Sequence, residues 1–344
     1  MNRIDEDKIL ELAENASLHE LGRMSSDVRF EKHPGDIVTY VSDRNVNYTN
    51  ICVSGCRFCA FRSMPDEDGG WLLMQHELNE KIREACDAGA TQILLQGGLH
   101  PAKKIDFYED MVSGIKSEFD IHLHGFSPPE IVHIASLSEL STNEVLKRLI
   151  DAGLDTIPGG GAEILVDSVR NRVSPEKCSA DEWLRVMREA HNLGLKTSAT
   201  MMFGIGEKIE DRIEHLWRIR QLQDETNGFT AFIPWTFQPQ NTELSDLESP
   251  SGIEYLRMLA ISRIFLDNID NVQASWVTQG EKIGQLALFF GANDMGGTMM
   301  EENVVRAAGC ENRLSESRLR VIIEKAGFVP KKRNTLYEII EVGV

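Results

Sequence analysis

The sequence predicts an α/β fold, a (β/α)8 TIM-type barrel with a short helical cap at its amino terminus. From about residue 38, eight β-rich runs alternate with amphipathic helical stretches, at 38–50, 91–98, 121–128, 154–161, 196–204, 229–237, 272–278 and 286–294. Gly89, Gly153 and Gly194 each follow a predicted helix, where a left-handed residue commonly ends it. This alternation is typical of parallel β/α units. An open doubly wound sheet is the alternative.

The same patterns predict the domain organisation. Residues 5 to about 30 indicate two short helices before the first strand, and two later helices begin with capping boxes, Ser141–Glu144 and Ser179–Glu182. We expect a cap over residues 1–36, a barrel over residues 37–310, and a carboxyl-terminal helix and tail that pack on the barrel over residues 311–344.

Composition limits the classes of partner. The 344 residues include 54 acidic and 36 basic side chains, a formal net charge of −18. This charge argues against binding nucleic acid, which needs basic patches, and favours a small-molecule substrate. No apolar run approaches the roughly 20 residues that cross a bilayer, so we expect no membrane partner. The acidic, helical amino terminus does not resemble an export signal, which predicts a cytoplasmic location.

Three cysteines, Cys52, Cys56 and Cys59, follow the first predicted strand with the spacing C-x3-C-x2-C. In parallel α/β folds, ligands bind at the carboxyl ends of strands. Zinc would ordinarily need a fourth Cys or His at a recognisable spacing, and none is in view. A [4Fe–4S] cluster normally takes four thiolates, so three would leave one iron open to an exogenous ligand. Three buried structural cysteines are the alternative, and this is the expected state of Cys86, Cys178 and Cys310.

Glycine-containing segments follow three further predicted strands, at 96–98, 158–163 and 200–207. Adjacent glycines let the backbone approach a ligand closely. Bare turns are the alternative, because a lone glycine-rich loop is weak evidence for a nucleotide site.

The cysteine spacing, with Phe58 directly before the last cysteine, resembles the radical S-adenosylmethionine (SAM) enzymes. The resemblance implies a [4Fe–4S] cluster held by Cys52, Cys56 and Cys59, with SAM bound at the open iron and cleaved to a 5′-deoxyadenosyl radical. It also implies a one-electron donor, flavodoxin- or ferredoxin-like. The positions that it implies for contact with the cofactors are Phe58, Gln96, Gly97, Gly98, Glu163, Arg170, Arg172, Thr200 and Gly204. Alternatively, either Arg170 or Arg172 is a solvated charge on a helix.

Longer phrases, at 123–131, 152–165, 222–239, 274–280 and 291–309, resemble the branch of this family that cyclises dehypoxanthinylfutalosine in menaquinone biosynthesis. The implied reaction takes hydrogen from the ribose C4′, adds the carbon radical to the benzoate ring, and loses a proton and an electron. The alternatives are an aminofutalosine synthase-like radical SAM enzyme and a non-enzymatic iron–sulfur electron carrier. The chain departs from the cyclase pattern at Arg62, where a tyrosine is usual, and at Leu99, where a histidine is frequent.

The lost proton requires an acceptor, and several strand-end side chains are candidates. They are His100, His124, Glu130 and Asp294, together with His122. In the run 121–125, the side chains of His122 and His124 share one face because strand side chains alternate. The other face carries non-polar residues that suit packing against helices, so we expect both histidines to point into the barrel lumen.

Overall fold

Parallel strands and intervening helices alternate along residues 3–340, the part of the chain that the computed structural model describes. The first two and last four residues of the expected cap and tail lie outside this range. The strands are β1 (Ile37–Val41), β2 (Asp43–Asn47), β3 (Gln92–Gln96), β4 (His122–Gly125), β5 (Thr156–Ile157), β6 (Lys196–Phe203), β7 (Phe229–Thr236), β8 (Asn271–Val272), β9 (Asp294–Gly297) and β10 (Val329–Lys332).

Two parallel sheets together form the ring of strands. The larger has the order β2-β3-β4-β5-β6-β7-β8, and the smaller has the order β10-β1-β9. β1 continues into β2 through Ser42, and a parallel bridge between Gln273 and Asp294 connects the end of β8 to β9. The segment β1–β2 therefore acts as one long strand that pairs with β9 in its first half and with β3 in its second. The ring closes with eight strand positions, and the barrel prediction is confirmed.

The helices cover the outside of this ring. Those before and between the strands are α1 (Glu6–Asn15), α2 (Leu18–Lys32), α3 (Gln75–Asp87), α4 (Ile105–Glu118), α5 (Pro128–Ser138), α6 (Thr142–Ala152), α7 (Asp167–Val173), α8 (Ala180–Asn192), α9 (Ile209–Thr226), α10 (Gly252–Phe265) and α11 (Trp276–Ala287). After β9 come α12 (Val304–Ala307) and α13 (Glu316–Lys325). None of the helices within residues 3–340 is long and apolar enough to cross a membrane.

Local sequence signals set several helix ends. The capping boxes at Ser141 and Ser179 are present, because each serine accepts from the backbone N–H three residues on and each glutamate accepts from the serine N–H. Gly153 ends α6 with φ +113°, a left-handed conformation that costs other residues energy. These predictions are confirmed.

The two amino-terminal helices rest on the outer helices α9 and α10. Arg257 of α10 donates to the carbonyl oxygens of Ala13 and Ala16 at the end of α1, at 2.8 Å each. Arg220 of α9 donates to the carbonyl oxygen of Ile4 at 2.7 Å. Two arginines thus satisfy carbonyl groups that flank a helix and would otherwise lack partners, and the predicted cap is confirmed.

The eighth strand position differs from the prediction. The apolar run 286–290 ends helix α11 and its turn, and β9 begins only at Asp294. A short apolar run fits a helix end as well as a strand, and pairing with β1 decides between them here. Gly291, at φ +99°, lies in the turn between the two elements.

The carboxyl-terminal tail adds β10 to the edge of β1 and then closes the floor of the barrel. Arg333, just after β10, forms a two-point ion pair with Asp294 of β9, at 2.5 Å (Nε to Oδ2) and 2.9 Å (Nη2 to Oδ1). Their side chains are 4% and 0% exposed. The Thr39 hydroxyl of β1 also donates to Oδ2 of Asp294, at 2.5 Å. One buried carboxylate therefore joins β1, β9 and the tail.

We predict that Arg333→Met lowers the free energy of unfolding by about 3–5 kcal/mol, because it leaves the Asp294 carboxylate buried without its partner. Urea unfolding of the full chain measures the effect. Arg318→Met is the matched control, because its ion pair with Glu281 is exposed and exposed pairs contribute about 1 kcal/mol or less. Equal losses in the two variants would contradict the role of the buried pair.

Candidate active site at the carboxyl ends of the strands

Two adjoining cavities occupy the inside of the barrel. The cysteine cavity, about 250 Å³, lies beside Cys52, Cys56 and Cys59. The lumen cavity, about 270 Å³, extends between the strands toward the floor at Arg333. They share lining residues, among them Gln96, Gly160, Glu163 and Trp235. A molecule in the lumen would therefore lie next to one bound beside the cysteines.

Backbone hydrogen bonds hold the cysteine loop, residues 52–59, over the barrel. The Cys52 N–H donates to the Ser63 carbonyl at 2.9 Å, and the Val53 N–H donates to the Leu99 carbonyl at 3.0 Å. The second bond connects the loop to the segment that follows β3. The loop is thus fixed to the carboxyl end of a barrel strand, as its position in the sequence predicts.

The three cysteines are free thiols that line one cavity. Burial raises the pKa of Cys56, opposed by the positive charge of Lys177. Burial also raises the pKa of Cys59, opposed by the backbone N–H groups of Phe61 and Arg62. Bound iron would favour the thiolate form, which is the form that ligates metals.

The two departures from the cyclase pattern have different surroundings. Arg62 donates from Nε to the Cys56 carbonyl at 3.1 Å and forms an ion pair with Glu243. It therefore supports the backbone of the cysteine loop. The Leu99 side chain is only 8% exposed, and its backbone carbonyl accepts from the Val53 N–H described above. A leucine at this position adds no polar group to the cavity.

Gln96 is the last residue of β3, and together with Gly97 and Gly98, which follow it, it lines the cysteine cavity. A Cβ on Gly98 would come within 2.3 Å of the Ile51 carbonyl oxygen, and one on Gly97 would meet the Tyr48 ring at 2.5 Å. Both glycines are required by close packing under the cysteine loop. The same packing exposes backbone at the cavity wall, where a ligand can approach it.

Glu130, predicted as a proton acceptor, connects three segments below the cysteine loop. Its Oε1 accepts from the Tyr48 hydroxyl at 2.6 Å and from the Gly97 N–H at 3.0 Å. Its Oε2 accepts from the Ser127 N–H at 2.7 Å and hydroxyl at 2.6 Å, in the capping box of α5. The residue is 3% exposed, and burial raises its pKa in spite of these bonds. Both oxygens already have partners, which suits a positioning role.

Glu163 and Lys177 form a buried ion pair on the cavity wall. Lys177 Nζ donates to Glu163 Oε1 at 3.0 Å, while Glu163 Oε2 has no hydrogen-bond partner. Burial alone would lower the pKa of Lys177, but Glu163 and Cys56 raise it overall. Glu163 has φ +41°, an uncommon backbone conformation outside glycine that often marks functional sites. Oε2 lies 3.7 Å from Nη1 of Arg170, so the buried carboxylate is paired with two cations.

Sequence reasoning did not identify Lys177. It lies in the polar loop between α7 and α8, where a lysine is usually a solvated charge. Its ammonium also lies 5.4 Å from the centroid of the Phe58 ring, which lines the same cavity. Only the folded chain brings Lys177 to the cysteines.

Arg170 and Arg172 have different surroundings. Arg170 is 2% exposed and donates to the carbonyl oxygens of Gly161, Ala162 and Cys178, so it braces the glycine-rich loop. Arg172 is exposed and donates to the Gly206 carbonyl at 2.8 Å. Neither guanidinium lines either of the two cavities.

Thr200 and Gly204 lie on β6 and just after it. The Thr200 hydroxyl lines the lumen cavity and donates to the Gly159 carbonyl at 2.5 Å. Gly204 has φ +99°, and its N–H donates to Glu207 at 2.8 Å. A Cβ at Gly204 would meet the Pro250 ring at 2.3 Å. Gly204 therefore shapes the turn after β6 without lining either cavity.

Of the histidine candidates, only His124 lines a cavity. His122 and His124 both contact the Thr156 hydroxyl, at 2.8 and 2.7 Å, so their side chains share a face as predicted. Burial lowers the pKa of His124 to about 3. His100 lies outside both cavities, where its Nδ1 accepts from the Ala102 N–H. Asp294 is engaged by Arg333 at the floor.

Comparison with known proteins identifies the family. A sequence model of the radical SAM superfamily matches residues 46–218, half of the chain. The chain belongs to the radical SAM superfamily. A second model, described as the CofH/MqnC C-terminal region, matches residues 226–343.

Several curated relatives are similar along nearly the whole chain. Cyclic dehypoxanthine futalosine synthase of Halalkalibacterium halodurans is 44% identical over 98% of this chain and 92% of its own length. The protein of the same name from Streptomyces coelicolor is 43% identical over 99% and 86%. A 5-amino-6-(D-ribitylamino)uracil–L-tyrosine 4-hydroxyphenyl transferase of Methanosarcina acetivorans is 44% identical over 94% and 88%. Percent identity alone does not separate the two activities.

Two solved structures share the fold. Methylornithine synthase (PylB) superposes with a TM-score of 0.74, at 19% identity, over 95% of this chain and 94% of its own. The FeFe-hydrogenase maturase HydG of Carboxydothermus hydrogenoformans gives 0.75, at 18% identity, over 97% and 77%.

Membership in the radical SAM superfamily implies a [4Fe–4S] cluster and SAM, and the donor set of the cysteine cavity fits them. Three thiols line it, and its described lining contains no fourth cysteine. No three His, Cys, Asp or Glu side chains among residues 3–340 form a site for a single metal ion. A four-iron cluster offers separate coordination positions, so its thiolates need not converge on one point.

We predict that Glu130→Gln lowers the free energy of unfolding by about 2–4 kcal/mol. In either orientation the amide NH2 would face N–H or O–H donors that now point at a carboxylate, which leaves buried donors unsatisfied. Urea unfolding measures the loss. Glu144→Gln is the matched control, because Glu144 makes the same two contacts with Ser141 at an exposed helix end. There the loss should be about 1 kcal/mol or less, and equal losses would refute the role of Glu130.

Proposed function

We propose that this protein is a radical SAM cyclase that converts dehypoxanthinylfutalosine to cyclic dehypoxanthinylfutalosine in menaquinone biosynthesis. The observation that carries the proposal is the end-to-end similarity to two proteins named cyclic dehypoxanthine futalosine synthase, at 44% and 43% identity. The cysteine cavity adjoins the lumen cavity, which supports the proposal because the cofactors and the substrate must lie side by side.

Within this proposal, Cys52, Cys56 and Cys59 hold the cluster and leave one iron for SAM. The cluster and SAM supply, when bound, a carbon-centred radical that takes a hydrogen atom from the substrate. Backbone at Gly97 and Gly98 is accessible to the methionyl group. Lys177 and Glu163 place a cation and a carboxylate on the wall of the cysteine cavity, next to where the polar groups of SAM would lie.

Arg170 then acts indirectly, by bracing the glycine-rich loop, and Phe58, Gln96 and Thr200 contribute cavity wall. We assign Gly204 and Arg172 to the turn after β6, because neither lines a cavity. A small flavodoxin- or ferredoxin-like protein would deliver the one electron that the cluster requires.

The lumen cavity suits a substrate that carries both a ribose and an aromatic ring. Leu94, Ile233 and Trp235 supply apolar wall, and Asn45 and Ser198 supply hydrogen-bonding groups. The two adjoining cavities together reach the range of about 300–1,000 Å³ that is typical of small-molecule sites. The chain's contribution is to hold ribose against arene, to exclude water and to accept one proton.

His124 is our choice among the predicted proton acceptors. It lines the lumen cavity, and its Nε2 makes no hydrogen bond with the described residues. Both Glu130 oxygens and both Asp294 oxygens already accept from neighbouring groups, and His100 lies outside the cavities. A general base needs reach to its proton before a suitable pKa matters.

A second candidate function is the 4-hydroxyphenyl transfer named for the Methanosarcina acetivorans relative, since its identity of 44% equals that of the first synthase. That reaction joins two substrates, whereas the cyclisation needs one. The aminofutalosine synthase-like alternative and the non-enzymatic electron carrier have no comparable support from the relatives described above.

We predict that the anaerobically reconstituted and reduced protein, given SAM and dehypoxanthinylfutalosine, forms 5′-deoxyadenosine and a product that has lost two hydrogens. Mass spectrometry of the reaction mixture measures both. Parallel reactions contain 5-amino-6-(D-ribitylamino)uracil with L-tyrosine, or the enolpyruvyl benzoate substrate of aminofutalosine synthase. Product formation only in one of these parallel reactions would overturn the proposal.

A further inference from the structure

We propose that His124, Thr156 and His122 form a path that carries the proton released in the reaction from the lumen cavity to the amino end of the barrel. The inference rests on the proposed function, because cyclisation must release one proton within the lumen cavity. A ring buried there can accept that proton without becoming an imidazolium only if its other nitrogen gives one up in the same step.

The three side chains form a continuous hydrogen-bonded chain. Thr156 of β5 pairs in register with His124 of β4, and its hydroxyl lies between the two rings. The Oγ1 atom is 2.7 Å from Nδ1 of His124 and 2.8 Å from Nε2 of His122. Thr156 is 3% exposed, so water does not compete for these contacts. His122 is the first residue of β4 and is partly exposed.

A hydroxyl between two rings gives the chain a direction. It can donate only one proton, so at most one ring nitrogen accepts from Oγ1, and a relay requires the other ring nitrogen to donate to it. If the Nδ1–H of His124 donates to Thr156, the Thr156 hydroxyl donates to Nε2 of His122. Nε2 of His124 is then an acceptor that faces the cavity. Nδ1–H of His122, which makes no bond with the described residues, is a donor at the other end.

The transfer balances as three linked proton movements without any electron transfer. Nε2 of His124 gains the substrate proton as its Nδ1 gives a proton to Thr156. Thr156 passes its own proton to Nε2 of His122, whose Nδ1 releases a proton to water. No imidazolium has to accumulate. Nε2 of His124 then carries a proton, and exchange of the ring protons with water after product release restores the first tautomers, because His124 lines the cavity and His122 is partly exposed. The path therefore works even though burial disfavours the charged form of His124.

Three other acidic residues line the lumen cavity, Asp43, Glu163 and Glu302, and none of them bonds a hydroxyl that leads to a second ring. Both oxygens of Glu302 accept from backbone N–H groups of residues 304–306 at 3.0–3.1 Å. Asp43 is 3% exposed and accepts from the Met299 N–H at 2.9 Å and the Gln92 amide at 3.3 Å. Glu163 is held by Lys177. Of the described residues that line the cavity, only His124 is connected by hydrogen bonds, through the Thr156 hydroxyl, to a partly exposed ring.

Charged groups near the path are already paired. Lys116 donates to Asp155 at 2.8 Å, and Asp155 also accepts from the Leu123 N–H between the two histidines. Arg333, the cation that faces His124 from the floor, is bound to Asp294. A proton entering His122 therefore meets no uncompensated cation.

We predict that Thr156→Val, which keeps the shape and removes the hydroxyl, lowers the amount of cyclised product per 5′-deoxyadenosine at least about tenfold. General acid–base steps contribute about 10²–10⁴-fold. Thr156→Ser, which restores the hydroxyl, should recover most of the loss. The amide of His122→Gln can accept from Thr156 but cannot pass a proton on, so this variant should lower the ratio as Thr156→Val does. It replaces Thr156→Val in the test if Thr156→Val does not fold.

A proton inventory gives a readout that a structural role would not change. The rate of product formation should depend on the D2O fraction along a curve in the wild type, because several protons move together, and along a straight line in Thr156→Val. Thr197→Val is the matched control, since Thr197 bonds His191 at 2.7 Å away from the lumen cavity. Its product ratio should equal that of the wild type.

The outcomes separate the two proposals. If the wild type forms no cyclised product, the proposed function falls and the path falls with it. If the wild type cyclises its substrate and Thr156→Val keeps both the ratio and the curve, the path alone is refuted. A loss in Thr197→Val equal to that in Thr156→Val would also refute it.

Discussion

The carboxylate of Glu130 is the constraint on which the candidate site depends. It joins the end of β2 through Tyr48, the end of β3 through Gly97 and the start of α5 through Ser127. A buried carboxylate with four donors is stable only while all four stay in place, because an unpaired buried charge is costly. The cysteine loop rests on this junction, since Gly98 packs directly under Ile51 and Cys52.

The same principle operates at two other depths of the barrel. At the floor, Asp294 joins two strands and the tail through Arg333. Beside the cysteines, Glu163 and Lys177 keep a buried charge pair on the cavity wall. In each place charge is compensated within the protein, so the cavity itself can remain largely dry. A reactive carbon radical needs such surroundings, where water and stray donors are excluded.

The sequence predicts the parts of this site that are local in the chain. The spacing of Cys52, Cys56 and Cys59 and the glycines after β3 and β5 lie within short segments, so their chemistry is visible without a structure. Lys177 and Arg333 are not visible in this way. One lies in a polar loop and the other follows an edge strand, and only tertiary packing brings them to the cavities. The prediction of a strand at 286–294 was wrong because a short apolar run fits a helix end equally well.

With three cysteines, the cysteine loop should leave one position of an iron–sulfur cluster open to SAM. Mössbauer spectroscopy of protein reconstituted with iron-57, before and after addition of SAM, tests it most directly. We expect a [4Fe–4S] cluster in which the signal of one iron changes when SAM is added, while the signals of the other three stay the same. Zinc in place of iron, or a cluster in which no iron signal changes when SAM is added, would contradict an open position for SAM.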